Sequence, residues 1–136
     1  MRQLSTRRVI TSVVVLLSGL ALAPASAANA QQLQRRCGWF ENPTPGNASL
    51  TDRDGTWIIA TQGGHQAKGD WPEFSDAQWV ETNSGHHGYG CACLSMQADP
   101  GARSVHSIRK ATAQPLTVCR RDKSLHEPAH DPDIAN

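Results

Sequence analysis

The sequence predicts an all-β fold, a small antiparallel sheet or barrel-like domain of about five to six short strands stapled by disulfides. Three observations predict it. Residues 91–98 alternate between apolar and polar side chains with period two. Turns rich in Gly, Pro and Asn recur between short β-branched and aromatic runs. No segment holds a helical period over three turns, and four cysteines sit in a chain of 136 residues, the usual device where a small domain cannot bury a large core.

Taken in order, the chain opens with export chemistry. Arg2, Arg7 and Arg8 form a positive region, Val9 to Ala23 an apolar run, and Ala25-Ser26-Ala27 and Ala28-Asn29-Ala30 two small-x-small sites. That is the layout of a cleavable signal peptide over residues 1–30, with cleavage after Ala27 or Ala30. The apolar run falls short of the roughly 20 residues a membrane anchor needs, so no membrane anchor is expected in the mature chain. Residues 31–36 read as an exposed leader. Residues 37–125 read as one β-rich disulfide domain, and residues 126–136 as a disordered tail bearing Pro128 and Pro132.

Within the domain, Cys37 to Phe40 is a first short strand. Asn42-Pro43-Thr44-Pro45-Gly46-Asn47 is rigid turn chemistry, and Asp52-Arg53-Asp54-Gly55 a second turn. Thr56 to Gln62 is a β-branched and aromatic strand. Residues 62–72 form a Gly-rich loop. Phe74 to Ala77 suits one helical turn, Gln78 to Thr82 a strand, and residues 83–90 a second Gly-rich loop. Cys91 to Ala98 is the clearest strand. Asp99-Pro100-Gly101-Ala102 matches a type II turn. It leads to a return strand from Ser104 to Thr112, where the three-residue spacing of Val105 and Ile108 implies a bulge. Leu116 to Cys119 is assigned to one more strand.

Export places Cys37, Cys91, Cys93 and Cys119 in an oxidising compartment, where an even count implies two bridges. Cys91 and Cys93 lie on one face of a strand, and a bridge between them would be a cramped ring. Two pairings remain open: 37–91 with 93–119, or 37–93 with 91–119.

Charge narrows the partners. The whole chain is +1, but three of the thirteen basic residues lie in the first eight positions. The mature part keeps ten against twelve acids, net −2, which argues against nucleic acid and against anionic membrane surfaces. No nucleophile elbow, phosphate loop or H-E-x-x-H motif appears, so the reading leans away from an enzyme, and no cofactor is expected. The candidate binding residues are His65 and Trp71 in the first Gly-rich loop and His87 and Tyr89 in the second. Together they would form the surface of a non-catalytic envelope module for a protein or glycan. An alternative, should the loops meet, is a periplasmic metal-binding protein using His65, His86 and His87 with Asp70. An enzyme of unrecognised type is the third reading.

Several of these stretches also resemble a known family. Arg36-Cys37-Gly38-Trp39-Phe40, the 42–47 turn, Asp52-Arg53-Asp54-Gly55 with Trp57, Gly69-Asp70-Trp71, Gly88-Tyr89-Gly90-Cys91-Ala92-Cys93-Leu94 and Cys119-Arg120 resemble the bacterial family known as domain of unknown function 4087. The likeness spans residues 36–123. It implies a small exported protein, periplasmic or secreted, and brings no activity with it.

Overall fold

A computed structural model describes residues 32–129. The expected signal peptide, its cleavage sites and residues 130–136 lie outside the described residues.

The described residues hold six strands: β1 (Gln34–Asn42), β2 (Ala48–Asp52), β3 (Gly55–Ala60), β4 (Trp79–Asn83), β5 (His87–Asp99) and β6 (Ser104–Gln114). A single 3-10 turn (Asp76–Gln78) precedes β4, and one short helix, α1 (Leu116–Arg121), follows β6. The sheet order is β1-β2-β3-β6-β5-β4, and β1 also pairs with β5. Five strands therefore close a ring, β1-β2-β3-β6-β5 and back to β1. Every seam is antiparallel except β3–β6, which is parallel and short, paired at Ile58 and Ser104. That circular order and parallel seam are those of the small Greek-key barrels called OB-type. β5 is long enough to serve three neighbours. One edge takes β1, and the other takes β6 along Cys91–Asp99 and then β4 along His87–Gly90.

Period-two alternation decides what fills the barrel. Ala92, Leu94, Met96 and Ala98 of β5 point inward with Phe40, Leu50, Trp57, Ile59, Val105 and Ile108, all buried. The odd positions of β5 point outward. There Trp39, Tyr89, Cys91 and Cys119 form a second buried cluster, with Leu116 and Leu125 packed against it. The expected bulge in the return strand is present: the β5–β6 register shifts between Ser95 and Met96 and again between Gln97 and Ala98.

Both disulfides form, in the second of the two open pairings. Cys37–Cys93 joins residues directly opposite on β1 and β5, their Cα atoms 4.0 Å apart. Cys91–Cys119 ties α1 to the outer face of β5. In the chain-entropy model, loops of 56 and 28 residues contribute roughly 3.5–4.5 kcal/mol each.

Five local expectations are corrected. β1 begins at Gln34, inside the supposed leader 31–36, because the length of β5 gives Gln34, Arg35 and Arg36 partners at Met96, Ser95 and Leu94. Ala48–Asp52 is a strand with alternating burial, hidden in the sequence between two turn motifs. Leu116–Cys119 is helical: Pro115 caps the start, and the three-residue spacing puts Leu116 and Cys119 on the side facing the outer cluster. The tail is not free from residue 126, since Glu127 accepts from the Tyr89 hydroxyl at 2.9 Å and pairs with Arg120 at 2.7 Å. In the β5–β6 turn the left-handed residue is Arg103, φ 52°, and not Gly101. Asp99 accepts from the N–H groups of Gly101 and Ala102, at 2.7 and 3.1 Å, and shapes the turn itself.

Candidate aromatic cleft

β1 carries consecutive aromatics, Trp39 and Phe40, and alternation sends them to opposite faces. Trp39 goes outward under α1. Phe40 goes inward at one end of the barrel, where it starts a chain of rings. Trp71 meets Phe40 at 5.7 Å between centroids, Phe74 meets Phe40 at 5.8 Å, Trp79 meets Phe74 at 4.9 Å, and His86 stacks on Trp79 at 5.9 Å and 28°. With Asn42 and Pro72 these rings line an open cleft of about 160 Å³.

Each ring is positioned by local backbone chemistry. Glycine at 90 leaves room for the Phe74 ring, since a Cβ there would collide with it. The 3-10 turn after Phe74 is closed by Ser75 and Gln78, each holding the other. His86 has φ 63°, directly after Gly85 at φ 80°. A left-handed backbone costs a non-glycine residue roughly 1–2 kcal/mol. The chain nevertheless carries an imidazole there, laid over Trp79, with Nδ1 3.6 Å from the Glu81 carboxylate.

The cleft has few polar groups left to offer. The Asn42 amide donates to the carbonyls of Thr44 and Asn47, at 3.0 and 2.5 Å, and so locks the Pro-Thr-Pro-Gly turn. Its oxygen accepts from His87 Nδ1 at 3.0 Å. The Trp79 indole N–H is buried and has no partner among the described residues.

The four sequence-chosen binding residues are divided. Trp71 is half-buried and lines the cleft. His87 stands behind Asn42 and is spent on holding it. Tyr89 is buried under α1; burial, with the Glu127 carboxylate beside it, pushes its phenol well above the usual range. His65 lies elsewhere, its Nε2 donating to the Val105 carbonyl at 2.8 Å with Ser104 Oγ at 3.2 Å. The loops thus line one cleft through Trp71, Pro72 and His86, and His65 has no part in it. The anticipated set of His65, His86, His87 and Asp70 is not assembled, and no group of three metal-ligating side chains occurs among the described residues. Sequence reasoning missed Phe40, Asn42, Phe74 and Trp79 as cleft residues. The aromatic identity of three of them was the available signal, but sequence distance hid that they converge.

Asp52-Arg53-Asp54-Gly55 proves to be a clamp. Arg36 Nη1 bonds Asp52 at 2.7 Å and Asp54 at 2.9 Å, and its guanidinium lies over Trp57 at 4.0 Å. Hydrogen bonding to Arg36 holds the Asp54 carboxyl below the usual carboxylate range. The carboxylates therefore have a structural employment, closing the β2–β3 hairpin onto β1.

Fold and site define a class: a small, disulfide-stapled β-barrel with a helix sealing one outer face and an aromatic cleft open at one end. Two disulfides mark a protein of an oxidising, non-cytoplasmic compartment. Within that class the chain belongs to the family described as Protein of unknown function (DUF4087), whose model matches residues 31–126, as the motifs implied. No curated protein and no solved structure matches the chain.

Proposed function

We propose that this is a non-catalytic, exported envelope module, periplasmic or secreted, that binds a partner protein by taking one apolar or aromatic side chain into the Phe40–Trp71–Trp79–His86 cleft. The observation that carries the reading is the cleft itself, four ring contacts in series around about 160 Å³. A space of about 150 Å³ accommodates a benzene ring, so the cleft suits one side chain and not a chain of sugars. Glycan is the second reading, favoured by the exposed rings. Against it, a sugar ring needs several hydrogen-bonding groups around its rim. Here Asn42 is committed to its own turn and the Trp79 N–H is buried. The face that OB-type barrels commonly use for oligosaccharides, strands β2 and β3, presents Ser49, Thr51, Thr56 and Ile58. It offers no ring for stacking.

His86 provides the test. Glycine suits its backbone better, so His86→Gly keeps or slightly raises stability while removing the ring. Wild-type and His86→Gly mature protein are compared in capture from envelope extracts and in co-sedimentation with purified cell-wall glycan. A protein retained by the wild type and lost by the variant supports the reading. Glycan co-sedimentation that needs His86 would replace it with the second reading, and identical behaviour of the two proteins would sink both.

A further inference from the structure

β6 has one edge that is only half used. Along Ser104–Ile108 that edge is occupied. The Ile58 N–H donates to the Arg103 carbonyl at 2.7 Å, the Lys68 N–H to His106 at 3.0 Å, and the Ile108 N–H to Lys68 at 2.7 Å. At Gly69, φ 100°, the neighbouring segment turns away; a Cβ there would collide with the Ile108 carbonyl. From Arg109 to Gln114, β6 pairs with β5 alone among the described residues. Its other side forms one wall of a groove of about 640 Å³, with Gly69–Trp71, Glu73 and Gln78 as the opposite wall. The strand edge from Arg109 to Ala113 thus lines this slot, which continues the line of pairing that Lys68 takes beside His106 and Ile108.

The geometry points to this slot as a strand-addition site for an extended peptide about six residues long, with alternating acidic and apolar side chains. The backbone follows from the edge, because alternate N–H and C=O groups of a strand that lacks a neighbour template an added one. The side chains follow from the register. Lys110 lies opposite Ser95, and Ser95 opposite Arg35, so one outward row carries two cations. An added strand's outward residue beside Lys110 extends that row, and a carboxylate complements it. The alternate residues face inward, where Ala111 and Trp71 pack against the core, and call for apolar side chains. Asp70 and Glu73 on the far wall disfavour acids on that side and confine them to the Lys110 side. The opposing idea is that Arg109 and Lys110 merely guard an edge against pairing.

This inference rests on the protein-binding reading and adds to it a second contact, with its own residues and chemistry. The test uses the mature protein with both disulfides intact and a synthetic peptide of alternating Glu and Val. Titration followed by amide exchange is expected to slow exchange within Arg109–Gln114. Methylating alternate peptide nitrogens is expected to abolish binding in one phase and preserve it in the other. Lys110→Glu, at an exposed position, is expected to weaken the Glu/Val peptide at least tenfold and to make a Lys/Val peptide the better ligand. His86→Gly is expected to leave this peptide's affinity unchanged, so loss of cleft binding with retained edge binding separates the two claims. Equal affinity for both peptides, or no protection at Arg109–Gln114, would overturn the inference. So would concentration-dependent protection of those amides in the protein alone, which would make a second copy the occupant.

Discussion

Trp39 and Phe40 are adjacent in sequence and begin two aromatic clusters with opposite fates. On the outer face, Trp39 meets Tyr89 edge-on at 5.4 Å and 88°, and α1, pinned by Cys91–Cys119, closes over both. At the barrel end, Phe40, itself buried, meets Trp71 on one side and leads through Phe74 and Trp79 to His86 on the other, and among the described residues no element closes over those outer rings. Aromatic side chains therefore do two jobs in the two clusters that start from one strand. A sealed ring contributes to stability, whereas a ring at an open cleft has surface left for a partner.

Truncating one tryptophan from each cluster gives the largest expected difference between them. Trp39→Ala is expected to cost about 3–5 kcal/mol, the range for a fully buried aromatic. Trp71→Ala, half-exposed, is expected to cost about 1–2 kcal/mol while changing ligand capture. Urea denaturation of the two variants checks this, and equal costs would erase the distinction between the clusters.

Opening the seal comes next. Replacing Cys91 and Cys119 together with Ala is expected to cost about 2–4 kcal/mol and to loosen α1. Amide exchange would show this as faster exchange in Leu116–Arg121 with little change around Phe74. Tyr89→Phe asks less, since it removes the hydroxyl with its bond to Glu127 and its interaction with Arg120 and keeps the ring. About 0.5–1.5 kcal/mol is expected, read from thermal melts.

The smallest effect is a pH dependence. Burial raises the Glu41 carboxyl above its ordinary range, against a lowering hydrogen bond from Thr51. A raised folded-state value means that the neutral form is favoured by folding. That favourable contribution is full below the unfolded-state value, near 4.3, and is lost as pH rises through the folded value. Glu41→Gln is therefore expected to be the more stable protein at pH 7, with the advantage shrinking toward pH 4. Melting temperatures across that interval measure it. A constant difference would place the cause elsewhere.

Much of the fold was legible where one residue type had one structural consequence. The alternation of 91–98 fixes which side chains of β5 face the core, and an even count of four cysteines implies two bridges. The turns at 42–47 and 52–55 carry residues whose backbone preferences leave little choice. β2 was not legible, because five residues between two turn motifs show no pattern strong enough to compete with their flanks. Leu116–Cys119 misled for the opposite reason. Its β-branched residues suit a strand, but Pro115 and the burial of Leu116 with Cys119 favour one helical turn. The site was legible in part. Trp71 stood out as an aromatic beside a Gly-rich loop, whereas Tyr89, equally aromatic, proved to be a core residue.

By itself the sequence determined the β-rich class, the number of bridges, the main turns and membership of the family, because these follow from local patterning and residue chemistry. Only the tertiary structure decided between the two disulfide pairings, because the choice depends on Cys37 lying opposite Cys93 across β1 and β5. It also decided that β3 and β6 close the ring, that the histidines part company, and that Phe40, Trp71, Trp79 and His86 share one cleft. Those outcomes depend on which strands become neighbours, a collective result of filling one core, and no window along the chain contains it.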